Sequence, residues 1–169
     1  MARIALVLAE DFEDSEFRKP YDALRAAGHT VDVIGAKQGS VTGKNGTEKV
    51  KIELTVADVA PADYQALVIP GGYSPDHLRI DKPIVEFVQA MVGAGKLIAA
   101  VCHGPQLLIE ADAVKGKQLT SWPSVKKDLE NAGAKWVDQE VVVDHMLITS
   151  RKPADLPAFS AAIVKGLQT

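Results

Sequence analysis

One cysteine, Cys102, stands alone in 169 residues. A lone thiol closes no internal disulfide, so nothing points to an oxidising compartment. It also offers no sulfur pair to a metal, and the four histidines lie far apart, so zinc-ligand spacing is absent and no metal is expected. Charge of one sign is scarce too. The formal net charge is -3 and the basic residues are scattered, which argues against nucleic acid as a partner. No apolar run approaches membrane-spanning length, and Met1-Ala2-Arg3 leads straight into an apolar stretch too short for a signal segment. The expected location is therefore the cytoplasm, with no membrane partner. No GxGxxG fingerprint occurs, which disfavours a dinucleotide, and no cofactor is expected. Internal repeats and low-complexity segments are also missing.

What is present is near-average apolar content in a chain long enough for one complete core, so residues 1–169 are expected to form a single domain. Ile4 to Leu8, Thr30 to Ile34, Ala66 to Ile69 and Leu97 to Val101 are short apolar runs of the kind buried on both faces of a parallel sheet. Between them, Phe17 to Ala27 ends at Gly28, and Ile84 to Ala94 carries Ile84, Phe87, Val88 and Met91 at the spacing of one buried helical face. Further helices are expected over Gln106 to Asp112, Pro123 to Asn131 and Pro157 to Leu167. Gly39 to Glu53 reads as a small hairpin or excursion, Gln118 to Ser121 as a short strand, and Val141 to Thr149 as a hairpin turning at Asp144-His145. Alternating strands and helices on short connections imply an α/β sandwich around a mainly parallel sheet, with sites beyond the carboxyl ends of the strands. Three loops meet that condition: Ala9 to Glu13, Pro70 to Tyr73 and Cys102 to Gly104.

Cys102 sits where an apolar strand becomes a helix, with Gly104 and Pro105 making the turn. A cysteine in an apolar segment is ordinarily a small buried hydrophobe. Here, however, a strand end supplies exposure, and the free N–H groups of a helix start favour a thiolate with a lowered pKa. A nucleophile needs a proton carrier and donors for an oxyanion. The backbone N–H groups of Gly71, Gly72 and His103 are the candidate donors. Glu13, if protonated and within reach of Cys102, would donate to the sulfur; ionised, it would repel a thiolate. Asp14 or Ser15 is a candidate cap for the helix that follows. His103 is the candidate base, although adjacent residues on regular structure point apart, so a Cys-His contact needs a special turn; a capping or packing role is its alternative.

Taken together, Ala100-Val101-Cys102-His103-Gly104-Pro105-Gln106-Leu107-Leu108, Phe12-Glu13-Asp14, Val68-Ile69-Pro70-Gly71-Gly72, Thr120-Ser121-Trp122-Pro123 and Ser150-Arg151-Lys152-Pro153-Ala154-Asp155-Leu156 resemble the ThiJ/PfpI superfamily. The closer resemblance is to its intracellular protease branch, which includes bacterial general stress proteins, and it runs nearly end to end. It implies a flavodoxin-like three-layer sandwich of the class I glutamine amidotransferase kind. It also implies Glu13 as the elbow glutamate, Cys102 as nucleophile and His103 beside it, with a third carboxylate from an adjacent subunit in a homodimer or larger homo-oligomer. Asp76 holds that third position, one methylene shorter than the glutamate of the protease relatives; capping of the next helix is its alternative role. Trp122 stands near the site where a close relative has tyrosine. The implied activities are peptidase, or glyoxalase and deglycase action on small carbonyl adducts, with a redox-sensing or chaperone-like stress role through an oxidisable Cys102 as the alternative.

Overall fold

Short apolar runs alternating with amphipathic segments gather into one seven-stranded sheet, in a computed structural model that describes residues 1–168. The chain opens with β1 (Arg3–Val7), α1 (Asp14–Ala26) and β2 (Thr30–Gly35), then makes a hairpin of β3 (Gly39–Thr42) and β4 (Lys49–Ile52) before the two-residue β5 (Leu54–Thr55). Next come β6 (Ala66–Ile69), the short α2 (Ser74–Leu78), α3 (Lys82–Gly93), β7 (Leu97–Val101) and α4 (Pro105–Glu110). The remainder holds β8 (Gln118–Leu119), α5 (Lys126–Asn131), β9 (Lys135–Trp136), β10 (Val142–Asp144), β11 (Leu147–Ser150) and α6 (Leu156–Leu167).

The strand order is β10-β11-β7-β6-β1-β2-β5, and every neighbouring pair is parallel except the β10/β11 hairpin. Successive strand residues point to opposite faces, so each strand feeds two cores. Ala5, Val7, Leu67 and Ile69 pack with Phe87, Val88 and Leu107 on one face. On the other, Ile4, Leu6 and Val68 pack with Phe17, Leu24, Phe159 and Ile163. The result is the expected three-layer α/β sandwich, with α1 and α6 on one side and α3 and α4 on the other. No helix among the described residues is long and apolar enough to cross a membrane.

Three local expectations change. β8 is only two residues long and leaves the main sheet to pair in parallel with β9. The segment from Pro123 begins as a single 3-10 turn, Pro123–Val125, before α5. α2, five residues directly after the Pro70-Gly71-Gly72 turn, is too short to announce itself by periodicity. The central strands β7, β6 and β1 lie side by side in that order, and this adjacency brings the three candidate loops together. An isolated antiparallel bridge between Phe12 and Gly72 ties two of them directly.

Candidate active site

Cys102 follows the last residue of β7 and is clamped from both sides. Its N–H donates to the Ser150 carbonyl at 3.0 Å, and its own carbonyl accepts from the Trp122 N–H at 3.0 Å. Its φ of 62° is left-handed, a conformation that costs a non-glycine residue about 1–3 kcal/mol unless the surroundings impose it. That is the special turn a contact between consecutive side chains requires. It brings Cys102 Sγ to 3.4 Å from His103 Nδ1, and the His103 N–H also faces the sulfur. Gly104 closes the elbow, and a Cβ there would lie 2.5 Å from the Ile69 carbonyl oxygen.

The carboxyl that meets the thiol is Glu16, fully buried near the start of α1. Its Oε1 accepts the Gly71 N–H at 2.8 Å, Oε2 has no hydrogen-bond partner among the described residues, and the carboxyl interacts with the Cys102 thiol. Burial, reinforced by the nearby charge of Glu13, raises the Glu16 pKa to about 8 against the pull of the Gly71 N–H, so Glu16 holds its proton at neutral pH. Burial and a negative charge on Glu16 push the Cys102 thiol up, not down as its place at a helix start suggests. The charge contribution vanishes when Glu16 is protonated, and the carboxyl then becomes a donor to a thiolate. Lys44 and the His103 N–H pull the thiol in the opposite direction.

His103 is half-buried, and its Nε2 lies 3.4 Å from Ser124 Oγ. Burial, then the Lys44 charge, holds its pKa below the usual imidazole value, so the ring is neutral at pH 7. Outside the elbow lies a cavity of about 340 Å³ lined by Lys44, Gly72, Tyr73, Asp76, His103 and Gln106.

The sequence profile of the DJ-1/PfpI family matches residues 2–166. The chain belongs to the DJ-1/PfpI family. Protein/nucleic acid deglycase 2 of Escherichia coli strain K12 is 49% identical over 160 residues, covering 94% of this chain and 93% of that protein. General stress protein 18 of Bacillus subtilis strain 168 is 48% identical over 160 residues, with the same 94% and 93% shares. Among solved structures, a two-domain protein from Anabaena variabilis with DJ-1/ThiJ/PfpI-like and ferritin-like domains superposes with a TM-score of 0.97 at 41% identity. The match covers 99% of this chain and 48% of that larger one.

In this DJ-1/PfpI chain the elbow carboxyl is not the residue expected. Glu13 sits at the N-cap of α1 and turns outward, pairing with Lys44 Nζ at 3.1 Å and accepting from Asn45 Nδ2 at 3.1 Å and Ser15 Oγ at 3.2 Å. Glu16, one turn on, points inward because it shares the helical face of Phe17, Pro20 and Leu24, all buried. An acid in phase with an apolar stripe was the signal available. Neither Asp14 nor Ser15 caps α1; Asp14 instead binds the β3/β4 hairpin loop. Gly71 is no oxyanion donor either, since Glu16 occupies its N–H. The Gly72 N–H has no partner among the described residues and borders the cavity. Asp76 borders the same cavity, but within one chain the His103 ring meets Cys102 and Ser124 and makes no bond to Asp76. Trp122 serves through its backbone, which holds the Cys102 carbonyl, and its side chain is partly exposed. Glu16, Lys44 and Ser124 are the site residues missed from sequence, the last two because their segments are remote from every strand end considered.

Proposed function

We propose that this chain is a stress-related cysteine hydrolase acting on small carbonyl adducts or peptides, with Cys102 as nucleophile. One observation carries the reading: Cys102 Sγ is held at a strained elbow between a buried Glu16 and a neutral His103, beside a polar cavity. The similarity to a protein named for deglycase action and to one named a general stress protein supports it.

On an amide carbonyl, Sγ attacks the carbon as His103 takes the thiol proton, the new S–C bond forms, and the carbonyl π electrons move onto oxygen. The Gly72 N–H supports that oxyanion. His103 passes its proton to the nitrogen as the C–N bond breaks and the amine leaves. Water then adds to the thioester carbon with His103 accepting its proton; the C=O bond re-forms as the C–S bond breaks, and His103 returns the proton to the sulfur, which leaves the acid product and the free thiol. Glu16 is a positioning residue, keeping its proton and steadying the sulfur. A neighbouring subunit's copy of Asp76, in a homo-oligomer, would orient the His103 ring.

The test is a panel of methylglyoxal, methylglyoxal-modified amino acids and fluorogenic peptides, run with the wild type, Cys102→Ala and His103→Ala. Turnover of at least one class is expected, lost in Cys102→Ala and lowered about 10²-fold or more in His103→Ala. Equal turnover in Cys102→Ala overturns the reading. A stress phenotype that needs Cys102 but not His103 would favour the redox-sensing role.

A further inference from the structure

The β3/β4 hairpin is bound to α1 by several contacts, of which the Lys44 side chain supplies one. Asp14 accepts the Asn45 N–H at 2.9 Å, the Thr47 N–H at 2.8 Å, the Thr47 hydroxyl at 2.7 Å and the Glu48 N–H at 3.1 Å. Arg18 grips both oxygens of Glu48 at 3.0 Å, and the Lys44 N–H donates to the Phe12 carbonyl at 2.8 Å. The Lys44 side chain adds one ion pair to this docking, to Glu13 at the N-cap of α1. Lys44 also lines the cavity shared with His103, Gly72, Asp76 and Gln106, and it is the one lysine or arginine in that lining. Among the described residues Glu13 Oε2, at 3.1 Å, is the single carboxylate paired with it, so donors remain on a group that has three. The neighbouring Gly72 N–H is free as well.

We infer that Lys44 is a specificity-determining residue that draws electrophiles bearing a negative charge close to the reacting carbon, such as a carboxylate, onto Cys102. Asp14 is a positioning residue that acts through Lys44 by holding the loop. Asp76 sets the limit of the effect, because its carboxylate borders the same space and opposes an anion. This assignment rests on the proposed nucleophilic role of Cys102, but it is read without turnover.

Cys102 is the only cysteine, so alkylation reports on it alone. Iodoacetate and iodoacetamide are near-isosteric and differ in charge. With either, the thiolate forms an S–C bond, the C–I bond breaks and iodide leaves with the electron pair. The ratio of their second-order rate constants cancels the thiolate fraction and leaves the charge preference. At low ionic strength that ratio is expected to fall about fivefold in Lys44→Met and to hold within about twofold in Lys44→Arg, as one charge near the reagent implies. Added salt should bring the wild type towards Lys44→Met. Asp14→Asn should lower the ratio in the wild-type background and leave it unchanged when Lys44 is already Met. An equal ratio in wild type and Lys44→Met overturns the assignment for Lys44. An equal fall on Asp14→Asn in both backgrounds overturns it for Asp14. Failure of Cys102 to alkylate with either reagent removes both this inference and the hydrolase reading. Inert substrates with an intact charge preference would count against the hydrolase reading alone.

Discussion

At the residue scale, the chemistry depends on which of two carboxyls in one helical turn is buried. Glu13 ends in an ion pair and side-chain hydrogen bonds at the surface of the site, whereas Glu16 is sealed beneath Cys102. Burial raises Glu16 from the ordinary 4.5 to about 8, so the folded protein binds more protons than the unfolded chain between those values. Stability contributed by this group is therefore present in full below pH 4.5 and is lost as pH rises through about 8. Glu16→Gln, which removes the ionisation and keeps the shape, is expected to match the wild type near pH 4.5 and to gain on it by up to about 4 kcal/mol above pH 8. Urea unfolding at acidic and alkaline pH measures this. A constant difference across the range would mean that Glu16 ionises in the fold as it does in water.

At the scale of elements, most of the architecture was legible. Apolar runs such as Ala66 to Ile69 and Leu97 to Val101 have too few polar groups to lie anywhere but inside a parallel sheet, and they are β6 and β7. Gly28 and Gly95, both at positive φ, mark the ends of α1 and α3 as their positions suggested. The Cys102 elbow was legible because its neighbours Gly104 and Pro105 dictate a turn. What stayed hidden depends on contacts between segments far apart in the chain. Alternation suggests a hairpin within Gly39 to Glu53, but only the long-range bonds from Asp14 and Arg18 show that it folds back against the start of α1, beside the candidate site. The choice between Glu13 and Glu16 was open for a related reason. An acid at the start of a helix is satisfied by the helix dipole, so either residue has a bland explanation until burial is known. Gly71 was misread because its N–H has two possible acceptors, and the buried Glu16 carboxylic acid takes it.

At the scale of the whole molecule, one chain brings together the thiol, a buried carboxyl and an imidazole, and among the described residues the imidazole has no carboxylate partner. Nδ1 faces Cys102, and Nε2 faces the Ser124 hydroxyl at 3.4 Å, a long contact for a hydrogen bond. Tyr73 and Ile80, at the two sides of the α2 segment, are large and exposed at 63% and 85%, so the loop that carries Asp76 presents apolar surface outward. Those features fit a homo-oligomer in which each subunit lends Asp76 to the other across an isologous contact. Asp76→Asn is then expected to lower turnover without lowering the melting temperature. Mixing it in equal amounts with Cys102→Ala should restore about a quarter of the wild-type activity, because half of the randomly exchanged dimers are mixed and each keeps one complete site of two. A monomer in sedimentation at micromolar concentration, or no recovery after proven subunit exchange, would contradict this arrangement.

Everything in this site turns on Glu16 holding its proton beside Cys102 at neutral pH. Infrared difference spectroscopy of the wild type against Glu16→Gln, followed with rising pH, observes that proton directly through the carboxylic acid carbonyl stretch. The expected result is a protonated-carboxyl band assigned to Glu16 that persists at pH 7 and disappears only at about pH 8 or above. A band already lost below pH 6, about where an ordinary glutamate has long been ionised, would contradict it.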